Sequence, residues 1–271
     1  MTKTLLELTG SGSLSYSSLD TLLTCGEKYR LTKILGAPQS DAWYLFGGSA
    51  VHEATELLDK GEQEDPAKAW AICWEKQMER VVDASKVRAA GRATKANPNK
   101  EDQAWWEKSG LEQVKGWVEW VAARKAAGWT LLETEAAFEV TLGSTPVRGY
   151  IDRVFVTDTG ETLILDLKTG GRQPQSTVQL GVYRQGYLKA TGTDSFLGTY
   201  FMTRQGGADY EPTVHSLTHY TEDMLGRWYD RAKAIVEAGL FVPHVGPLCP
   251  SCSVAPHCEA VGGTAPTSSF K

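Results

Sequence analysis

No stretch of this 271-residue chain carries the roughly 18 consecutive apolar residues that a membrane-spanning helix needs. The leading MTKTLLELTGSGS places Glu7 inside its short apolar stretch and has no cleavage site, so a signal peptide is not expected either. The expected location is cytoplasmic, in a bacterium or in the host cytoplasm if the gene is phage-encoded. Cysteine is scarce. Five residues, an odd number, in a chain without an export signal do not make a disulfide framework. Basic charge is also short: 28 Lys and Arg against 33 Asp and Glu leave a net charge of −5. That argues against a general nucleic-acid coat while leaving room for a local basic groove. The G-x-x-x-x-G-K-[ST] loop is missing, which excludes a helicase motor of the chain's own. HExxH, G-x-S-x-G and G-x-G-x-x-G are missing too, which removes the common protease, esterase and dinucleotide-binding readings.

What is present fits a globular chain, with 41% hydrophobic and 23% charged residues. No internal repeat or low-complexity linker divides it, so one domain over 14–260 is expected, with loose ends at 1–13 and 261–271. The first part, about 15–128, reads as helical: 18–34 after a serine cap, 48–60, 65–84 behind Asp65-Pro66, and 100–127. After Gly128 the apolar period changes. Residues 130–142, 146–157 and 161–169 read as strands, the last two joined by Asp158-Thr159-Gly160. A helix at 176–190, strands near 195–204 and 210–217, and a helix at 221–239 complete a core region of about 129–240. The fold class is α/β, a mixed central sheet flanked by helices.

The hairpin carries the first chemistry. Centred on Thr159, it pairs residues whose numbers sum to 318, so Asp152 faces Asp166 with Cβ atoms roughly 4.5–5.5 Å apart. Lys168, two residues on, shares that face, and Leu167 points the other way. Two carboxylates so close repel unless a cation lies between them, and Mg²⁺ or Mn²⁺ with oxygen ligands suits the gap. A strand face where Lys168 merely bridges two acids is the plainer explanation of a lone D-x-K. The apolar run Leu163–Leu165 and Leu167 argues instead for a buried strand with acids at its end. Glu135 and Glu139, on the preceding strand, are candidates for a further carboxylate.

Residues 80–100 hold six basic residues and one acid. They read either as a DNA-facing arm, with Lys86, Arg88, Arg92 and Lys95 meeting phosphates, or as a solvated helix end. Cys249-x₂-Cys252-x₅-Cys258 places three thiolates in one loop, and Cys25 stands 224 residues before Cys249. Four thiolates suit tetrahedral zinc or an iron–sulfur cluster. Cys73, between Ile72 and Trp74, reads as a core residue. Most tryptophans have helix-face spacing and read as core, with one of Trp105 and Trp106 left over for a base.

Together LSYSSLDTLLTCGEKYR at 14–30, Gly48-x-x-x-His52, Gly149-Tyr150-Ile151-Asp152, Asp166-Leu167-Lys168, Gln179-x-x-x-Tyr183 and the three clustered cysteines resemble the PD-(D/E)xK nuclease superfamily. The resemblance is to its RecB-like branch, which includes CRISPR-associated and AddB-type iron–sulfur exonucleases. It implies a restriction-endonuclease-like core and a Mg²⁺ or Mn²⁺ ion on His52, Asp152 and Asp166, with the Leu167 carbonyl as a further ligand. It also implies that Lys168 assists the attacking water, and that Gln179 and Tyr183 support the site and the DNA strand beside it. For Cys25, Cys249, Cys252 and Cys258 it implies a [4Fe–4S] staple joining the N- and C-terminal regions, with structural Zn²⁺ as the alternative. The expected activity is metal-dependent hydrolysis of DNA from ends or single strands, in recombination, repair or CRISPR-type processing. A helicase, recombinase or CRISPR-integration partner and an oligomer are compatible with it. The rival reading is a non-catalytic DNA-binding or assembly subunit that keeps the fold and the cluster.

Overall fold

The computed structural model describes residues 3–95 and 97–266. Its centre is a five-stranded mixed sheet in sequential order, β1 (Trp129–Leu142), β2 (Thr145–Thr157), β3 (Thr162–Lys168), β4 (Leu197–Met202) and β5 (Val214–Ser216). All neighbours are antiparallel except β3 and β4, which run parallel. A parallel pair needs a crossover, and α7 (Val178–Thr191) supplies it.

Period-two alternation divides the sheet's apolar residues between two cores. Ile164 and Val154 join a cluster with Leu180, Tyr183 and Tyr187 of α7 and with Leu225 and Tyr229 of α8 (Glu222–Glu237). Leu163, Leu165 and Leu167 face the opposite way, onto Trp117 and Trp120 of α6 (Gln103–Ala126). β3 is therefore buried on both faces, as its unbroken apolar run requires. A third cluster packs α4 (Trp43–Asp59) and α5 (Pro66–Met78) against α6 through Trp43, Phe46, Trp70, Trp74 and Trp106. Cys73 is buried there, and burial lifts its thiol to about 11.

Several boundaries depart from the sequence reading. The helix expected over 18–34 breaks at Cys25, whose backbone is extended (φ −162°, ψ 109°) between α2 (Tyr16–Thr24) and α3 (Gly26–Tyr29); a short π-helical segment, Arg30–Ile34, follows. α4 begins at Trp43 rather than 48 because Gly47 and Gly48 lie inside it. A Cβ on Gly47 would sit 2.1 Å from the Trp106 ring, so the missing side chain is what lets α4 and α6 meet. The leader is ordered from Leu5 to Thr9 as α1, closed by a Thr4–Glu7 capping box and anchored by buried Leu5. Its Leu5 N–H donates to Glu237 Oε1 at 3.0 Å, which ties α1 to the end of α8. From residue 267 the expected loose tail lies outside the described residues. Among the described residues no helix is long and apolar enough to cross a membrane.

Candidate active site

Asp152 enters the site from the middle of β2 and Asp166 from the end of β3. The β2–β3 ladder pairs Arg153 with Leu165 and Phe155 with Leu163, a register that continues to Asp152 opposite Asp166. The Leu167 N–H donates to Asp152 Oδ2 at 2.7 Å, so of Leu167 it is the backbone N–H that touches an acid. His52 comes from α4, where buried Ala50, Val51, Ala54 and Thr55 fix the helix and leave the imidazole facing the sheet. His52 Nδ1 lies 3.7 Å from Asp152 Oδ2.

α7 supplies the other wall. Gln179 Nε2 donates to Asp166 Oδ1 at 2.7 Å and to the Tyr183 hydroxyl at 2.8 Å, while Gln179 Oε1 accepts from Lys168 Nζ at 2.9 Å. One amide thus orients the acid and the lysine together. Lys168 Nζ stands 2.7 Å from Asp166 Oδ2 as an ion partner. That oxygen is buried, and the Lys168 ammonium is the charge that offsets its burial.

Electrostatics follow from the geometry. Burial, then the neighbouring Asp152, pushes the Asp166 carboxyl up to about 7. Burial also raises Asp152, opposed by the Leu167 N–H. His52 is held below its ordinary value by burial, so it is neutral and able to ligate at pH 7. Two acids that resist ionisation beside a neutral imidazole form a site that gains from a divalent cation.

Glu135 joins this group and Glu139 does not. One ligand atom each from His52, Glu135 and Asp152 lie within 4.8 Å of one another. A bulge between Leu131 and Glu133 shifts the β1–β2 register by one, so that Thr134 pairs with Arg153 and Ala136 with Ile151. Glu135 is left opposite Asp152, with φ +52°, a conformation rare for a glutamate. Glu139, four residues on, is exposed and paired in register with Arg148. Period-two alternation cannot separate the two glutamates; the bulge and the left-handed residue do.

Sequence reasoning missed the support beneath the acids. Arg153 is fully buried: Nε donates to Asp59 at the end of α4, Nη1 to the Asp152 carbonyl at 2.7 Å, and Nη2 to Thr55 Oγ1 at 3.1 Å. Nη1 also stands 3.4 Å from Glu135 Oε1. One guanidinium therefore joins the elements that carry His52, Asp152 and Glu135. A buried arginine next to an acid in a strand was the available signal.

The basic arm separates by position. Lys86 is paired with Asp83 and Arg88 stacks over Tyr44, while Arg92 borders a cavity of about 530 Å³ beside the acids and Lys95 is exposed. Trp106 is buried, while Trp105 is half-buried with the Arg204 guanidinium 4.7 Å from its ring centre.

The cysteine loop folds back on the α2–α3 junction. The His244 N–H donates to Cys25 Sγ at 3.4 Å and the Gly246 N–H to Cys249 Sγ at 3.3 Å. Cys252 and Cys258 pack on Leu31, Ala37 and Val254. Among the described residues no three cysteine sulfurs come within 4.8 Å of one another. A single tetrahedral zinc, with Zn–S bonds of about 2.3 Å, would need them drawn closer together.

A parallel β3–β4 crossover, a β2–β3 hairpin bearing opposed acids, and a lysine two residues beyond the second acid define a nuclease core. Over residues 13–259 the chain matches the PD-(D/E)XK nuclease superfamily, and it belongs to that superfamily. It is 30% identical over 266 residues to the gene 69 protein of Mycobacterium phage D29, covering 90% of this chain and 95% of the relative. With the gene 69 protein of Mycobacterium phage L5 it shares 28% over 301 residues, covering 95% and 98%. The structure named "Putative exonuclease" from Eubacterium rectale has the same fold, with a TM-score of 0.52 at 14% identity over 89% of this chain and 87% of the other.

Proposed function

We propose that the protein is a divalent-metal-dependent deoxyribonuclease that degrades DNA from an end. The observation that carries this reading is the buried Asp166, with its Oδ2 2.7 Å from Lys168 Nζ, beside a His52–Glu135–Asp152 group whose ligand atoms lie within 4.8 Å of one another. The donor set, one imidazole nitrogen and carboxylate oxygens, fits Mg²⁺ or Mn²⁺. His52, Asp152 and Asp166, with Glu135, would hold the ion, which would polarise a phosphoryl oxygen and acidify a water. Lys168 carries positive charge to the edge of the acids, where it can orient that water and meet the charge developing on the phosphate. Gln179 keeps the lysine and Asp166 aligned, and Tyr183 fixes Gln179. Action from an end accords with the name of the Eubacterium rectale protein. A role in recombination or repair belongs to the same reading.

The cysteine end supports a further part of it, a [4Fe–4S] cluster on Cys25, Cys249, Cys252 and Cys258. A polynuclear cluster holds its thiolates farther apart than one ion does, and the N–H groups aimed at two of the sulfurs would stabilise them as thiolates. Such a staple would place the protein in the RecB-like iron–sulfur branch.

The test is cleavage of end-labelled single- and double-stranded DNA by anaerobically purified protein in Mg²⁺, Mn²⁺ or EDTA, with Asp166→Ala alongside. Metal-dependent ladders lost in the variant are expected. Cleavage that survives in EDTA, or in the variant, overturns the catalytic reading, and iron and sulfide assays decide the cluster separately.

A further inference from the structure

Tyr44, Gly48 and His52 are spaced four apart on α4 and so share one face of the helix. His52 lies in a cavity of about 470 Å³ with Glu135, Asp152 and Thr169. Tyr44, eight residues earlier and hence about 12 Å along the axis, also borders that cavity. Tyr44 and Thr169 in addition border the second cavity of about 530 Å³, lined further by Arg92, Gly170, Gly171 and Arg172. Two hollows thus share a wall, one holding the acids and the other the arginines. Gly48 lines the inner hollow, and a Cβ there would stand 3.0 Å from Thr169 Oγ1 of the shared wall, so any larger residue would crowd it.

The charges in the outer hollow are not equivalent. Arg204 is spent internally, bidentate on Glu101 at 2.7 and 3.0 Å and bonded to the Thr169 carbonyl at 2.7 Å. That pair pins the base of the 91–100 arm, whose two ends are tied by the Ala90–Glu101 bridge. Arg92 and Arg172 are exposed and have no ion pair or hydrogen bond among the described residues. In a chain of net charge −5, two free guanidinium groups facing one hollow beside an acidic site select a phosphate. Tyr44 is 40% exposed, with the Arg88 guanidinium 5.9 Å from its ring centre. An exposed ring beside free arginines is how unpaired nucleic acid is held: bases stack on the ring and phosphates meet the cations.

We infer that this outer hollow is the binding subsite for an unpaired DNA strand, with Arg92 and Arg172 holding a phosphate next to the scissile one and Tyr44 stacking a base. The inference rests on the nuclease reading above and adds to it the form of the substrate and the path it takes. The strand runs along the Tyr44–Gly48–His52 face of α4, under the 91–100 arm, and reaches the acids single-stranded. A base paired in a duplex is already stacked and cannot lie on Tyr44, so a blunt end must fray first.

The test uses the full chain as wild type, Tyr44→Ala, Tyr44→Phe, Arg92→Ala and Arg172→Ala. The probes are a fluorescein-labelled oligothymidylate of about ten nucleotides and a blunt duplex of the same length. Binding is read by anisotropy in EDTA, and kcat and KM are read in Mn²⁺. Tyr44→Ala is expected to weaken single-strand binding about tenfold, with Tyr44→Phe restoring it because the ring does the stacking. Each arginine variant should lower the salt dependence of binding by about one phosphate contact. KM for the single strand should rise while kcat holds, and duplex binding should change little. Variants that bind and cut the oligothymidylate like wild type overturn the subsite, as does an equal loss on duplex and single strand. If wild type cuts neither DNA but the binding pattern holds, the catalytic reading falls and the subsite stands.

Discussion

The two ligand-bearing ends of the molecule are built differently. At one end His52, Glu135, Asp152, Asp166 and Lys168 project from a long helix and three strands, and Gln179, Arg153 and the Leu167 N–H hold them. At the other end the cysteines sit in 3₁₀ turns and a helix break, over a small cluster of Leu31, Ala37 and Val254. The acidic end is built on the sheet's own ladder. The cysteine end has little apolar area beneath it, so under the cluster proposal its order would depend on the bound thiolates. Removing ligands should therefore cost chemistry at the first end and stability at the second.

The strongest way to break that contrast is Lys168→Ala, for which cleavage should fall on the order of a thousandfold while the thermal midpoint stays near wild type. A large drop in midpoint would show that the acidic end is structural after all. Next is Asp59→Ala, which strands the fully buried Arg153. Urea unfolding should show a loss of about 3–5 kcal/mol, the one acidic-end change that costs stability. At the other end, Cys258→Ser should remove bound iron and lower the midpoint by about 5 °C or more without touching the acids. A fall in activity unaccompanied by lost stability would blur the division.

A pH series sharpens it more gently. Burial raises Asp166, so the folded chain keeps a proton that the unfolded chain has released. In EDTA, stability should decline as pH rises from about 5 toward about 7, and Mn²⁺, which takes the proton's place, should flatten the slope. A melting curve in EDTA that improves over this interval would contradict the burial of Asp166. Smallest of all, Glu139→Ala should leave stability within about 0.5 kcal/mol and cleavage intact, because only Glu135 reaches the acids.

The hairpin was readable because its register follows from one turn and a period of two, and the apolar run of β3 marked a strand covered on both sides. That Gln179 and Tyr183 share a helix face was readable from their spacing, while their place beside the acids came only from the family resemblance. The break at Cys25 was not: nothing in LTCGEK signals an extended residue between two helices. Nor was the early start of α4, since Gly47 and Gly48 look like a helix boundary until Trp106 is seen to occupy the space. The split between Glu135 and Glu139, the Arg153–Asp59 pair and the free Arg172 all depend on contacts between distant segments, for which local pattern holds no information.

β1 has 14 residues and forms one edge of the sheet, with no neighbouring strand on its outer side among the described residues. A long, flat edge of that kind invites a second chain to add a strand and begin an aggregate. The bulge at Leu132 and the left-handed Glu135 twist the strand partway along, and Glu133 and Glu139 place charge on either side of the kink. The distortion that brings a carboxylate to the acids thus also spoils the template for stacking molecules edge to edge, and a variant that straightened β1 would be expected to lose solubility along with its third acidic side chain.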